Sequence, residues 1–164
     1  MNEPDWIKNE AERTKREEEA NDARAQDAIA ASFRVAKEGP AFWQQLLAGL
    51  ADNTNALPKI ELAGRTSIIA APEKGEQFCR VEVSKPGVFP NFTHTDLFYI
   101  PGAPVIRCRT LEGVEGGFVF RVLSSGEVVV VQDVDLMAMH PEQMAEFIVK
   151  RMATMIRRDI RQGA

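Results

Sequence analysis

The spacing of glycine and proline through the middle of the chain constrains the fold most. Strand-like runs there are cut by Gly64, Pro72, Gly75, Pro86-Gly87, Pro101-Gly102, Gly113, Gly116 and Gly126. The runs between them are Lys59–Leu62, Thr66–Ala70, Gln77–Ser84, Asp96–Ile100, Val105–Leu111, Gly117–Leu123 and Val128–Val134. A parallel pair needs a crossover of about a dozen residues or more, and these gaps are shorter, so the pairing is expected to be mostly antiparallel. The clearest hairpin is Phe118–Leu123 turning through Ser124-Ser125-Gly126-Glu127 into Val128–Val131. The valine run shows no polar alternation. It reads as a central strand buried on both faces, or covered on one by a partner.

Helical patterns flank this middle. Residues from Pro4 to Lys37 read as one long helix, with Pro4 at a first helical position and no further Pro or Gly before Gly39-Pro40. Its first half is polar all round after Trp6 and Ile7, with charge pairs such as Glu12–Arg16 that each add only about 0.2–0.5 kcal/mol. Its second half is alanine-rich. Gly39-Pro40 is expected to end this helix and start a second, whose stripe is Phe42, Trp43, Leu46, Leu47 and Leu50. A last helix opens at His140-Pro141, with His140 as a candidate N-cap. Its apolar stripe is Met144, Ile148, Met152, Met155 and Ile156, with Phe147 alongside. Lys150, Arg151, Arg157, Arg158 and Arg161 crowd its second half, where a solvated face and the helix dipole account for cations.

The expected fold is therefore α+β: two N-terminal helices, an antiparallel meander of roughly five to seven strands, and a C-terminal helix packed on one sheet face. Residues 1–38 form an arm and residues 39–164 a single domain. A chain of 164 residues needs neither disulfides nor metal to fold. The broad order of helices, meander and closing helix is similar to that of helix-grip proteins, which hold apolar ligands between sheet and helix. This chain lacks the leading strand usual there, and a likeness of layout transfers no function.

A net charge of −4 and a pI near 5.3 argue against bulk binding to nucleic acid or to an anionic membrane. The N-terminus is polar and acidic, without a secretory pattern, and no apolar run reaches membrane-spanning length. A cytoplasmic protein is expected. Cys79 shares a strand face with Val81 and Val83, and Cys108 with Ile106, so both read as buried thiols acting as small hydrophobes.

Little chemistry is written on this frame. His94 and Asp96 share a face if the segment is extended, and such a pair serves a general base or a metal only with further groups that are not identifiable. Asp133 and Asp135 also share a face, without a surrounding calcium loop. Gly113-Val114-Glu115-Gly116-Gly117 leads into a strand without a following lysine, so it is a turn and not a phosphate loop. The proline-rich stretch from Pro86 to Pro104 frames Val88, Phe89, Phe92, Phe98 and Tyr99, and reads as a packed loop before a pocket rim. No catalytic residue, metal ligand or cofactor site is assigned. Trp6 and Ile7 are the candidate partner contacts, because a lone Trp beside Ile in a polar leader tends to find cover.

The leading expectation is a non-enzymatic binding or assembly module that works as a homo-oligomer, its partner being itself or another protein. The alternative is a carrier of a small apolar ligand, with a pocket between the Met144–Ile156 stripe and the sheet. An enzyme using His94 and Asp96 ranks last, because one base does not make a site.

Overall fold

A computed structural model describes residues 4–70, 75–87, 91–132, 134 and 136–162. The chain opens with a single helix, α1 (Asp5–Ala56), which passes through Gly39-Pro40 without a break. The two N-terminal helices expected there are one. An interior proline removes an N–H and crowds the carbonyl four residues back, at a cost of about 3 kcal/mol. Tertiary burial on both sides offsets it: Val35 before Pro40, and Phe42, Trp43, Leu46, Leu47 and Leu50 after it, all lie in the core. Gly39 is a packing position and not a stop signal. A Cβ there would stand 2.5 Å from Tyr99 Oη.

The chain divides into two compact units, Met1–Phe33 and Arg34–Ala164. In the first, the described side chains are exposed except for the half-buried Ile7 and Ala31. Surface ion pairs run along it, among them Arg13–Glu10 at 2.6 Å and Arg16–Glu12 at 3.7 Å. The buried residues of α1 begin at Val35.

In the second unit, α1 ends in a 3₁₀ turn, Leu57–Ile60, with Pro58 in its first positions and Glu61 left-handed at φ 61°. The strand expected at Lys59–Leu62 is this turn. Proline's fixed φ favours it, and the Leu62 N–H closes it on the Leu57 carbonyl at 3.2 Å. The strands are β1 (Ala63–Ala70), β2 (Gln77–Ser84), β3 (Phe92–Tyr99), β4 (Val105–Thr110), β5 (Glu115–Val122), β6 (Val128–Gln132) and β7 (Ala138–Met139). They form one sheet in the order β1-β2-β3-β4-β5-β6-β7, antiparallel throughout. The β5–β6 turn is closed by the Leu123 N–H to Glu127 at 2.9 Å, with Gly126 at φ +88°. Val128, Val129 and Val130 are buried on both faces of β6. β3 starts earlier than expected, at Phe92, and β7 was too short to leave a periodic signal.

Register separates two faces. Val81, Val83, Leu97, Tyr99, Ile106 and Phe118 point inward, where both helices pack. Arg80, His94, Asp96, Phe98, Arg107 and Arg109 take the opposite parity and form the outer face. Phe42 meets Phe120 edge-on at 5.2 Å and Trp43 stacks on Tyr99 at 5.4 Å. The last helix, α2 (Pro141–Gln162), adds Met144, Ile148, Met152 and Ile156 to the same core. Gly49 lets α1 approach it, since a Cβ there would lie 2.9 Å from that of Ala145. The His140 N–H donates to Gln143 Oε1 at 2.9 Å, the reach-back half of a capping box. Among the described residues no helix is long and apolar enough to cross a membrane.

Candidate functional site

The inward positions of β3 are Thr93, Thr95, Leu97 and Tyr99, and those of β4 are Ile106, Cys108 and Thr110. Leu97, Tyr99 and Ile106 are fully buried and fill the space under the helices. Towards the other end of β3 the inward residues are short. Thr95 stands directly opposite Thr110 in the register, with Thr93 next along β3. There α2 and the sheet border a cavity of about 320 Å³ that is partly open to solvent, at the small end of the range of roughly 300–1,000 Å³ seen for small-molecule sites.

Its apolar wall is Val114, Phe118, Phe147, Ile148, Met152 and Met155. Phe118 and Phe147 meet edge-on with centroids 6.3 Å apart, one from the sheet and one from the helix. Its polar lining is Thr93, Thr95, Thr110, Cys108 and Gln132, and its charged groups are Glu112 and Arg151. Thr110 Oγ1 accepts the Val114 N–H at 3.3 Å. Among the described residues, the hydroxyls of Thr93 and Thr95 make no side-chain hydrogen bond within the protein. Burial pushes the Cys108 thiol up, while the charge of Arg151 and the backbone of Gly116 pull it partly back. The guanidinium therefore acts on the cavity floor. Cys79 lies on the same inward row two strands away, through Leu97. Burial and then the Asp96 charge push its thiol to about 12. Both cysteines are free, Cys79 buried and Cys108 half-buried.

The sites expected from the sequence lie elsewhere. Trp6 is 70% exposed and Ile7 half-buried, both in the first unit. His94 and Asp96 do share a face, with Nε2 3.9 Å from Oδ2, but it is the outer face, away from the cavity. Asp96 is only 6% exposed, and Arg80 grips it with two hydrogen bonds of 2.7 and 2.8 Å. That grip holds the Arg80 guanidinium above its ordinary value and leaves His94 a carboxylate already committed to another cation. Asp133, Asp135, Val88 and Phe89 lie outside the described residues. Of the proline-rich stretch, Tyr99 is core, Phe98 lies half-buried on the outer face and Phe92 is exposed. Among the described residues no three His, Cys, Asp or Glu side chains cluster to hold a metal ion.

Sequence reasoning missed Thr93, Thr95, Thr110 and the reach of Arg151. The threonines had a signal: hydroxyls at inward positions of strands whose other inward residues are apolar. It was hidden because β3 was expected to start at Asp96, which cut Thr93 and Thr95 from their periodic partners Leu97 and Tyr99. Arg151 was grouped with the solvated cations of the last helix. It is exposed, as Lys150, Arg157 and Arg158 are, yet it also borders the cavity. The arrangement suits partial enclosure of an apolar body with a few polar groups in the lining. Comparison of this chain with protein-family models, curated proteins and solved structures finds no match.

Proposed function

We propose that this protein binds a small, predominantly apolar molecule in the cavity between α2 and the inner sheet face. The observation that carries the reading is the cavity itself. A space of about 320 Å³, partly open to solvent and walled mainly by apolar side chains of α2 and the inner sheet face, has the size and lining of a small-molecule site. Met152 and Met155 add an adaptable wall that re-forms around ligands of different outline.

Native mass spectrometry of the untagged protein tests this. A small molecule retained in the native spectrum and lost on denaturation is expected, and Cys108→Phe, which fills the cavity floor, should abolish it. The neutral apolar fluorophore N-phenylnaphthylamine provides a second readout. No bound mass, together with no fluorescence gain that Cys108→Phe suppresses, would sink the reading.

A second reading, self-assembly through the first unit, is supported by Ile29 and Phe33. They stand four apart on one helix and are 58% and 74% exposed, an apolar pair suited to a second copy. Removing residues through Phe33 should then lower the mass in light scattering. An unchanged assembly state refutes it.

A further inference from the structure

We infer that the occupant of this cavity is an amphiphile with an anionic head, a carboxylate or its like on an apolar chain, received by Arg151 and the threonine hydroxyls of β3 and β4. The inference rests on the cavity being a ligand site.

A wholly apolar ligand calls for a wholly apolar wall, because a hydroxyl enclosed without a partner costs free energy. This wall carries Thr93, Thr95 and Thr110 where branched hydrocarbon side chains would fit the same strands. Thr95 and Thr110 stand opposite each other in the register with Thr93 next along β3, so the three hydroxyls come from neighbouring positions of the lining.

Arg151 gives the lining a cation. It stands about three turns before the end of α2 at Gln162, whereas the favourable effect of the helix dipole fades within the last turn. No ion pair within the helix explains it either. The residues three and four positions away are Phe147, Ile148, Thr154 and Met155, none a carboxylate. The adjoining groove shares Phe147, Arg151 and Met155 with the cavity and adds Lys150 and Arg158. The mouth thus has a cationic lip on an apolar floor.

Glu112 is the one carboxylate in the lining, on the exposed turn after β4, and it makes no ion pair with Arg151 among the described residues. A guanidinium fork matches the two oxygens of a carboxylate, which a lysine point charge does not.

Calorimetric titration of the full chain with decanoate and with decanol, below their aggregation limits at pH 7, separates head from chain. Decanoate should bind about tenfold tighter or better, a difference of about 1.4 kcal/mol. Arg151→Gln should bring decanoate down to decanol and leave decanol unchanged, with Arg151→Lys falling between. Arg151 is exposed, so thermal melts of both variants should match the parent, and two substitutions guard against one folding poorly. Equal affinity for the two ligands, or a preference that survives Arg151→Gln, overturns the anionic head while the cavity reading stands. If neither ligand binds and Cys108→Phe changes nothing, the cavity reading fails as well. Co-sedimentation with anionic phospholipid vesicles in place of decanoate binding would assign the cations to a lipid surface and overturn the inference.

Discussion

Gly39 of α1 and Tyr99 of β3 are in mutual contact at a distance that admits no side chain. An ideal Cβ on residue 39 would lie 2.5 Å from Tyr99 Oη, and that hydroxyl is buried with no hydrogen-bond partner of good geometry. Burial raises the phenol's pKa, and the neighbouring Gly102 backbone only partly offsets it. Helix propensity alone predicts that Gly39→Ala stabilises by up to about 1 kcal/mol. The contact predicts the opposite sign, a loss of about 1–3 kcal/mol from overpacking. Tyr99→Phe should be near neutral or stabilising, since it removes an orphaned hydroxyl. In the double variant most of the loss should return, a coupling above about 0.5 kcal/mol in urea unfolding. A Gly39→Ala protein more stable than its parent would remove the contact as the reason for glycine here.

Arg80 and Asp96 form an ion pair of two hydrogen bonds on the outer face, with Asp96 enclosed and Arg80 part-exposed. Arg80→Ala leaves the carboxylate desolvated without its partner. A loss of about 1–2 kcal/mol is expected, discounted for the solvent that reaches the arginine. His94→Ala should cost less, because Nε2 stands 3.9 Å from Asp96 and makes no hydrogen bond to it. Equal losses for the two variants would show that Arg80 is not the main partner.

The two thiols differ in access more than in kind. Cys108 borders the cavity and feels Arg151, whereas Cys79 is fully buried with its pKa pushed from 9.0 to about 12. With Ellman's reagent at pH 8, Cys108 should react first, more slowly in Arg151→Gln, and Cys79 only on unfolding.

The same burial makes stability depend on alkaline pH. An unfolded Cys79 ionises near 9.0 while the folded one keeps its proton to about 12. Its contribution is therefore full below pH 9.0 and falls as pH rises towards about 12. Cys79→Ala should flatten the fall of the urea midpoint across that window. A variant with the parent's slope would place the titration elsewhere.

No residue of α1 before Val35 is buried. A chain starting at Arg34 should therefore fold with its urea-unfolding free energy changed by no more than about 0.5 kcal/mol, the usual range for surface changes. A larger loss would mean that the first unit supports the second.

Much of the fold was legible because it follows from local rules. The Gln77–Ser84 strand, the hairpin around Gly126 and the stripe Met144–Ile156 each carry a period and a boundary that only one element satisfies. The misreadings came where a local signal met a tertiary contact. Gly39-Pro40 looks like a helix stop, and Lys59–Leu62, just after Pro58, looks like a strand. In the first case core packing on both sides carries the helix through, and in the second the proline nucleates a turn.

By itself, then, the sequence determined the antiparallel meander, the alternation that separates an inner from an outer face, and the amphipathic helix that closes the chain, since spacing and period act within a few residues. The tertiary structure alone decided that α1 is one helix, that His94 and Asp96 face away from the cavity, and that Thr93, Thr95, Thr110 and Arg151 share it. Those residues come from strands and a helix up to 58 positions apart, Thr93 to Arg151. Only strand register and the path of α2 across the sheet bring them together, and neither is written in any local window of the chain.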